Sequence, residues 1–129
     1  MKRILVVDDD VAFTRLLKLN LEQTGQYNVR VENWAEDALP AAREFKPDLV
    51  LLDLLMPRQF GGNVAASFRA DPELKQTPIV FLTATVRKAT VELHGGAISG
   101  YPFLAKPAST AEVAACIEQH LRPRTPGQP

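Results

Sequence analysis

The sequence predicts an α/β fold: a three-layer (βα)5 sandwich built on a five-stranded parallel sheet. Three observations carry this reading. Four short apolar runs, Ile4–Val7, Leu49–Leu52, Ile79–Leu82 and a weaker one at Phe103–Ala105, are continuous rather than alternating, as strands covered on both faces are. The segments between them place apolar residues at helical spacing. Strands that alternate with helices imply right-handed crossovers, and these lay helices on both faces of a parallel sheet.

The remaining elements follow in order. Phe13, Leu16, Leu17 and Leu21 form the stripe of a first helix, which Gly25 can end. Residues 27–32 (Tyr-Asn-Val-Arg-Val-Glu) alternate and predict an edge strand with one wetter face. Ala38, Leu39, Ala42 and Phe45 mark a second helix, in which Pro40 predicts a late start or a kink. A third helix is expected over 62–70, stopping before Asp71-Pro72, and a fourth over 86–94, before Gly95-Gly96. The last begins at Ser109-Thr110-Ala111-Glu112, a capping-box pattern, and buries Val113, Ile117 and Leu121. Residues 1–122 are expected to form one domain. Residues 123–129, rich in proline and without an apolar face, read as a flexible tail or the start of a linker.

Composition narrows the function. Apolar residues make up 46% of the chain, enough for a packed core, and the formal net charge is zero. That balance gives no general attraction to nucleic acid or to an anionic membrane. No run is long enough to span a bilayer. Cys116 is the sole cysteine, which excludes an intrachain disulfide and fits a reducing compartment. A cytoplasmic location is the expectation.

Each apolar run ends in a residue with chemistry to offer. The first ends in Asp8, Asp9 and Asp10, the next in Asp53, then Thr83, and the last in Lys106 before Pro107. Parallel strands bring these ends to one edge of the sheet, where open α/β folds bind ligands. Carboxylates packed together repel unless a cation joins them. Oxygen donors with no His or Cys nearby select a hard ion, and Mg²⁺ fits best. Acids, a metal, a lysine and a hydroxyl suit a transferring phosphoryl group, and a carboxylate can itself be the nucleophile. Asp10 reads instead as a helix N-cap.

These residues resemble the receiver domains of two-component response regulators. The resemblance rests on Val6-Val7-Asp8-Asp9, on residues 48–57 (Asp-Leu-Val-Leu-Leu-Asp-Leu-Leu-Met-Pro), on Phe81-Leu82-Thr83-Ala84 and on Lys106-Pro107, and covers residues 2–121. It implies the flavodoxin-like strand order 2-1-3-4-5. It implies that Asp53 is the phosphoacceptor, that Asp9 is a direct Mg²⁺ ligand and that Asp8 acts mainly through water. The backbone carbonyl of Leu55 would complete the protein's metal ligands. Lys106 and Thr83 would bind the phosphoryl group, Ala84 would leave it room, and Thr83 with Phe103 would form the switch. The implied partners are a histidine kinase or phosphotransfer protein as donor, and an output domain or target protein as receiver of the signal. A homodimer stays open.

The chain departs from the family pattern in two places. Phe60-Gly61 stands where an Asp-Gly pair is usual, with Gly62 following, so Phe60 is either a packing or partner residue or part of a local loop change. Residues 95–102 make a longer approach to the last strand, and Tyr101 is a second candidate for the switch aromatic. Other residues read as ordinary: His94 and His120 as surface groups on helices, Cys116 as a helix or core filler, and Trp34 as a half-buried packing residue in preference to a partner contact. Other functions fit these residues less well. A Mg²⁺-dependent aspartate-nucleophile phosphatase or phosphotransferase needs a second acid two residues after the nucleophile, and Leu55 stands there. A degenerate receiver that only binds is disfavoured by the presence of Asp9, Asp53, Thr83 and Lys106. A flavin site lacks a phosphate loop after the first strand.

Overall fold

The computed structural model describes residues 1–56, 59–83, 97–98, 101–106 and 108–121. The helix expected over 86–94 and the tail at 123–129 lie outside the described residues, as do Pro57, Ala84, His94 and Pro107.

Five strands form the expected parallel sheet: β1 (Lys2–Val7), β2 (Tyr27–Glu32), β3 (Leu49–Leu52), β6 (Ile79–Thr83) and β8 (Tyr101–Ala105). Their spatial order is β2-β1-β3-β6-β8, the 2-1-3-4-5 arrangement of flavodoxin-like folds. Two short additions were not expected. Strand β7 (Ala97–Ile98) pairs antiparallel with β8 and extends the sheet edge. Strands β4 (Leu55–Met56) and β5 (Gln59–Phe60) form a two-residue antiparallel hairpin beyond β3, which places Phe60 opposite Leu55. Runs of two residues carry no readable periodicity, so neither pair was legible.

The continuous apolar strands arise from burial on both faces. Successive side chains of a strand point to opposite sides. Ile4 and Val6 of β1 therefore join Leu49, Leu51, Val80 and Leu82 in one core, under helices α1 (Val11–Gln23) and α4 (Thr110–His120). Leu5 and Val7 join Val50, Leu52, Ile79 and Phe81 in the other, under α2 (Ala38–Phe45) and α3 (Gly61–Ala70). Fully burying one such side chain contributes roughly 1.5–3 kcal/mol.

Helix ends follow their local chemistry. Asp10 caps α1, its side chain accepting from the Phe13 N–H at 3.0 Å. Gly25, at φ +78°, turns the chain away after α1. Pro40 is neither a late start nor a kink. It is the third residue of α2, within the first turn, where its missing N–H has no intrahelical acceptor to lose. A short 3₁₀ turn (Ala35–Asp37) leads into that helix. Ser109 and Glu112 form the expected capping box. Trp34 departs from its reading as a packing residue: it is 56% exposed, because it stands where the chain leaves β2 and before α2 covers the sheet.

Two polar braces join distant segments. Glu118 of α4 accepts from Lys2 Nζ at 2.5 Å and from the Tyr27 hydroxyl at 2.6 Å, tying the helix to the starts of β1 and β2. Burial and the Glu118 carboxylate push the Tyr27 hydroxyl up to about 12. Asp71, buried just after α3, accepts from the Glu73 N–H at 2.8 Å and from Arg43 Nε at 2.7 Å.

Helix α3 begins hard against the end of β3. The Gly61 N–H donates to the Leu54 carbonyl at 2.6 Å, and a Cβ on Gly61 would stand 2.3 Å from the Asp53 carbonyl oxygen. Only glycine permits this approach. Gly61→Ala is expected to destabilise the domain by about 1–3 kcal/mol, as overpacking does. Urea denaturation measures it; an unchanged midpoint would mean that the backbone at 53–54 yields freely.

A second prediction concerns acid. The Glu73 N–H, followed by Arg43, holds the Asp71 carboxyl below its ordinary value of 3.8. A group whose folded pKa is depressed adds stability above its unfolded pKa, and that stability is lost as pH falls through the folded value. Asp71→Asn should therefore be less stable than the parent at pH 7, and the gap should narrow progressively below about pH 4. Denaturation midpoints across pH test this, and a gap that widens in acid contradicts it.

Candidate functional site

The parallel register assembles the site. Val7 of β1 lies beside Leu52 of β3, so the residues that follow, Asp8 and Asp53, emerge side by side. The Asp53 N–H donates to the Val7 carbonyl at 2.9 Å and fixes that placement. Thr83 closes β6 opposite Ala105 of β8, which sets the backbone of Thr83 beside the residue before Lys106. Asp8, Asp9 and Asp53 each offer a carboxylate oxygen within 4.8 Å of the others. Asp8 and Asp53 are buried, and Asp9 is exposed.

Asp8 is the most constrained of the three. Its Oδ1 accepts from the Asp10 N–H at 2.9 Å, and its Oδ2 accepts from Lys106 Nζ. Burial pushes its carboxyl above the ordinary value, while Lys106 and the Asp10 N–H pull it back and the Asp9 charge adds to the rise. The apolar sheet behind disfavours the anion, and the lysine only partly offsets that.

Two contributors were missed in the sequence. Asn33 Nδ2 donates to the Asp8 carbonyl at 2.8 Å and to Thr14 Oγ1 at 3.0 Å, linking the end of β2 to the acid loop and to α1. Its position at the same strand-end edge was the available signal. Phe13, read only as part of the α1 core stripe, places its ring centroid 4.8 Å from Lys106 Nζ.

The other expected residues divide. Phe103 is partly buried against the core on the α2–α3 side. Tyr101, on the same side, meets Phe81 edge-on with centroids 5.5 Å apart, and its hydroxyl accepts from Arg69 Nε at 2.9 Å. The side chains of Leu55, Phe60 and Thr83 fall outside the described set. Cys116 is buried, as expected of a core filler, and His120 Nδ1 lies 2.9 Å from the Cys116 carbonyl oxygen on the same helix. Among the described residues, no helix is long and apolar enough to cross a membrane.

Comparison with known proteins agrees with this geometry. The sequence model of the response regulator receiver domain matches residues 4–118. The DNA-binding response regulator MtrA of Mycobacterium tuberculosis is 39% identical over 122 residues, covering 94% of this chain and 51% of MtrA. The transcriptional regulatory protein YvrH of Bacillus subtilis is 35% identical over 119 residues, covering 92% of this chain and 48% of YvrH. The chain thus spans about half the length of these relatives. Among solved structures, the BeF3-activated receiver domain of Klebsiella pneumoniae RstA superposes with a TM-score of 0.79 at 28% identity, over 95% of this chain and 100% of that one. Vibrio cholerae CheY4, a chemotaxis protein, shares the fold with a TM-score of 0.81 at 24% identity, over 94% of this chain and 99% of that one. With its flavodoxin-like strand order and its acid cluster at the sheet edge, the chain belongs to the response regulator receiver domains of two-component signalling.

Proposed function

We propose that this domain is a phosphorylation switch whose phosphoacceptor is Asp53. The observation that carries the proposal is the convergence of three carboxylates within 4.8 Å, with Lys106 bonded to Asp8 among them. Asp53 is the member that follows a different strand, β3, and it is buried. Its carboxylate oxygen attacks the phosphorus of a phosphohistidine on a histidine kinase or phosphotransfer protein. The new O–P bond forms as the P–N bond breaks, and the bonding pair leaves with the imidazole nitrogen.

The donor set fits Mg²⁺: carboxylate oxygens with no His or Cys among them. Asp9, Asp53 and the backbone carbonyl of Leu55 would hold the ion directly. Both Asp8 oxygens already have donors, which suits Asp8 to a role through water. When bound, the ion neutralises the clustered carboxylates and the phosphoryl oxygens. Lys106 then exchanges Asp8 for a phosphoryl oxygen, and the Thr83 hydroxyl donates to another. Thr83 and Phe103 pass the change to the β6–β8 side of the domain, as a population shift driven by contacts that only the modified state makes.

Residues 1–122 act as the switch, and 123–129 serve as a tail or the start of a linker. The relatives' names point to an output domain or target protein that reads the switch, and a homodimer would be one way to read it. The domain itself has no part in binding nucleic acid or membrane. It works in the cytoplasm and accepts a phosphoryl group without turnover beyond slow self-hydrolysis, because Leu55 supplies no second acid.

With Mg²⁺ and acetyl phosphate, the chain is expected to gain one phosphoryl group and the Asp53→Asn variant none. Intact-mass spectrometry decides this, and equal modification of both proteins rules out Asp53. A companion prediction uses the repulsion in the metal-free cluster. In chelator, Asp9→Asn and Asp53→Asn should each melt above the parent, by the equivalent of roughly 0.5–2 kcal/mol. Both melting below it would show that the carboxylates are held by partners that outweigh their repulsion.

A further inference from the structure

We propose that Phe13 is a positioning residue for Lys106, holding the ammonium at the acid cluster through the face of its ring. The inference rests on the phosphoacceptor reading for its functional consequence, although the contact itself does not depend on it. Lys106 Nζ has Asp8 as its carboxylate partner and the Phe13 ring centroid at 4.8 Å, within the range where a cation is drawn to an aromatic face. The lysine side chain is only 16% exposed, so this attraction acts with little competition from water.

Phe13 is itself fixed. It lies in the first turn of α1, its N–H held by the Asp10 cap at 3.0 Å, and its side chain packs against the core under α1 and α4. The acid loop and the helical turn that follows it therefore supply the acids Asp8 and Asp9, the cap Asp10 and the ring that steadies the lysine. A lysine on a flexible four-carbon stem loses rotamer freedom whenever it must stay in one place. A carboxylate partner would hold it too, but would also compete with the phosphoryl group for its protons. An aromatic face attracts the charge and accepts none of its ordinary hydrogen bonds. The ammonium can thus leave Asp8 for a phosphoryl oxygen without leaving the ring.

Nuclear magnetic resonance on the whole chain tests the contact without any phosphorylation. The Lys106 ε-CH₂ protons should be shifted upfield by the ring current and return to ordinary positions in Phe13→Leu. Unshifted protons in the parent overturn the proposal whether or not any variant folds. The functional arm measures the rate of Asp53 modification by acetyl phosphate at fixed Mg²⁺. Phe13→Leu should slow it about fivefold, equivalent to about 1 kcal/mol, and the conservative Phe13→Tyr should recover most of that loss. In a Lys106→Met background, Phe13→Leu should add no further loss. An equal loss in that background means that Phe13 acts through packing alone, and the proposal fails. If the parent takes up no phosphoryl group at all, the phosphoacceptor reading fails, and the proton shifts still decide the role of Phe13.

Discussion

The Asp8–Lys106 pair is the constraint around which the rest of this domain is arranged. It brings the end of the first strand to the turn after the last one, across ninety-eight positions of sequence. A buried carboxylate costs several kcal/mol unless a cation and further donors meet it. Here Lys106 and the Asp10 N–H provide both. Asp9 then adds negative charge beside a group that burial already disfavours, and Asp53 stands within 4.8 Å of both. Carboxylates gathered this closely repel one another wherever no cation joins them. A site under this repulsion gains more from an incoming cation or a change of charge than a relaxed one would.

The same loop distributes the effect. Asp10 caps α1, Asn33 ties the Asp8 carbonyl to Thr14, and Phe13 faces Lys106. Helix α1, the end of β2 and the end of β8 therefore all meet the backbone or side chain of Asp8 within one bond or one further contact. On the far side of Asp53, Gly61 brings α3 against the Asp53 carbonyl with no space for a side chain. The acid cluster is thus flanked by elements from both faces of the sheet.

What the sequence made legible follows from length and period. Strands of four to six apolar residues announce themselves, and their parallel pairing places Asp8, Asp9, Asp53 and Lys106 at one edge with no further information. Two-residue pairings such as β4–β5 and β7 have no period to read. Phe13 and Asn33 were hidden for another reason: each satisfies an ordinary local pattern, a core stripe and a strand end. Their contacts with Lys106 and Asp8 exist only across the fold. Trp34 misled in the opposite direction, since a large aromatic is usually covered but here follows an edge strand into a turn.

The two aromatics of β8 are held in different ways. Tyr101 has its hydroxyl on Arg69 Nε, the Arg69 guanidinium 5.1 Å from its ring centroid, and an edge contact with Phe81. Arg69 in turn donates to the Lys75 carbonyl at 2.7 Å, so the tyrosine is tied to α3 and to the segment after it. Moving Tyr101 would forfeit a charge-assisted hydrogen bond of about 1.5–3 kcal/mol along with the aromatic contacts. Phe103 carries no hydroxyl and so has no such bond to lose; it packs partly buried against the core, and its neighbours across the pairing are Phe81 on β6 and, two residues on, Thr83 opposite Ala105. Phe103 is therefore the less restrained of the two, and its register places it closer to the strand end that follows with Lys106. Tyr101 is the more firmly tied of the two, held by hydrogen bond, cation and ring edge at once.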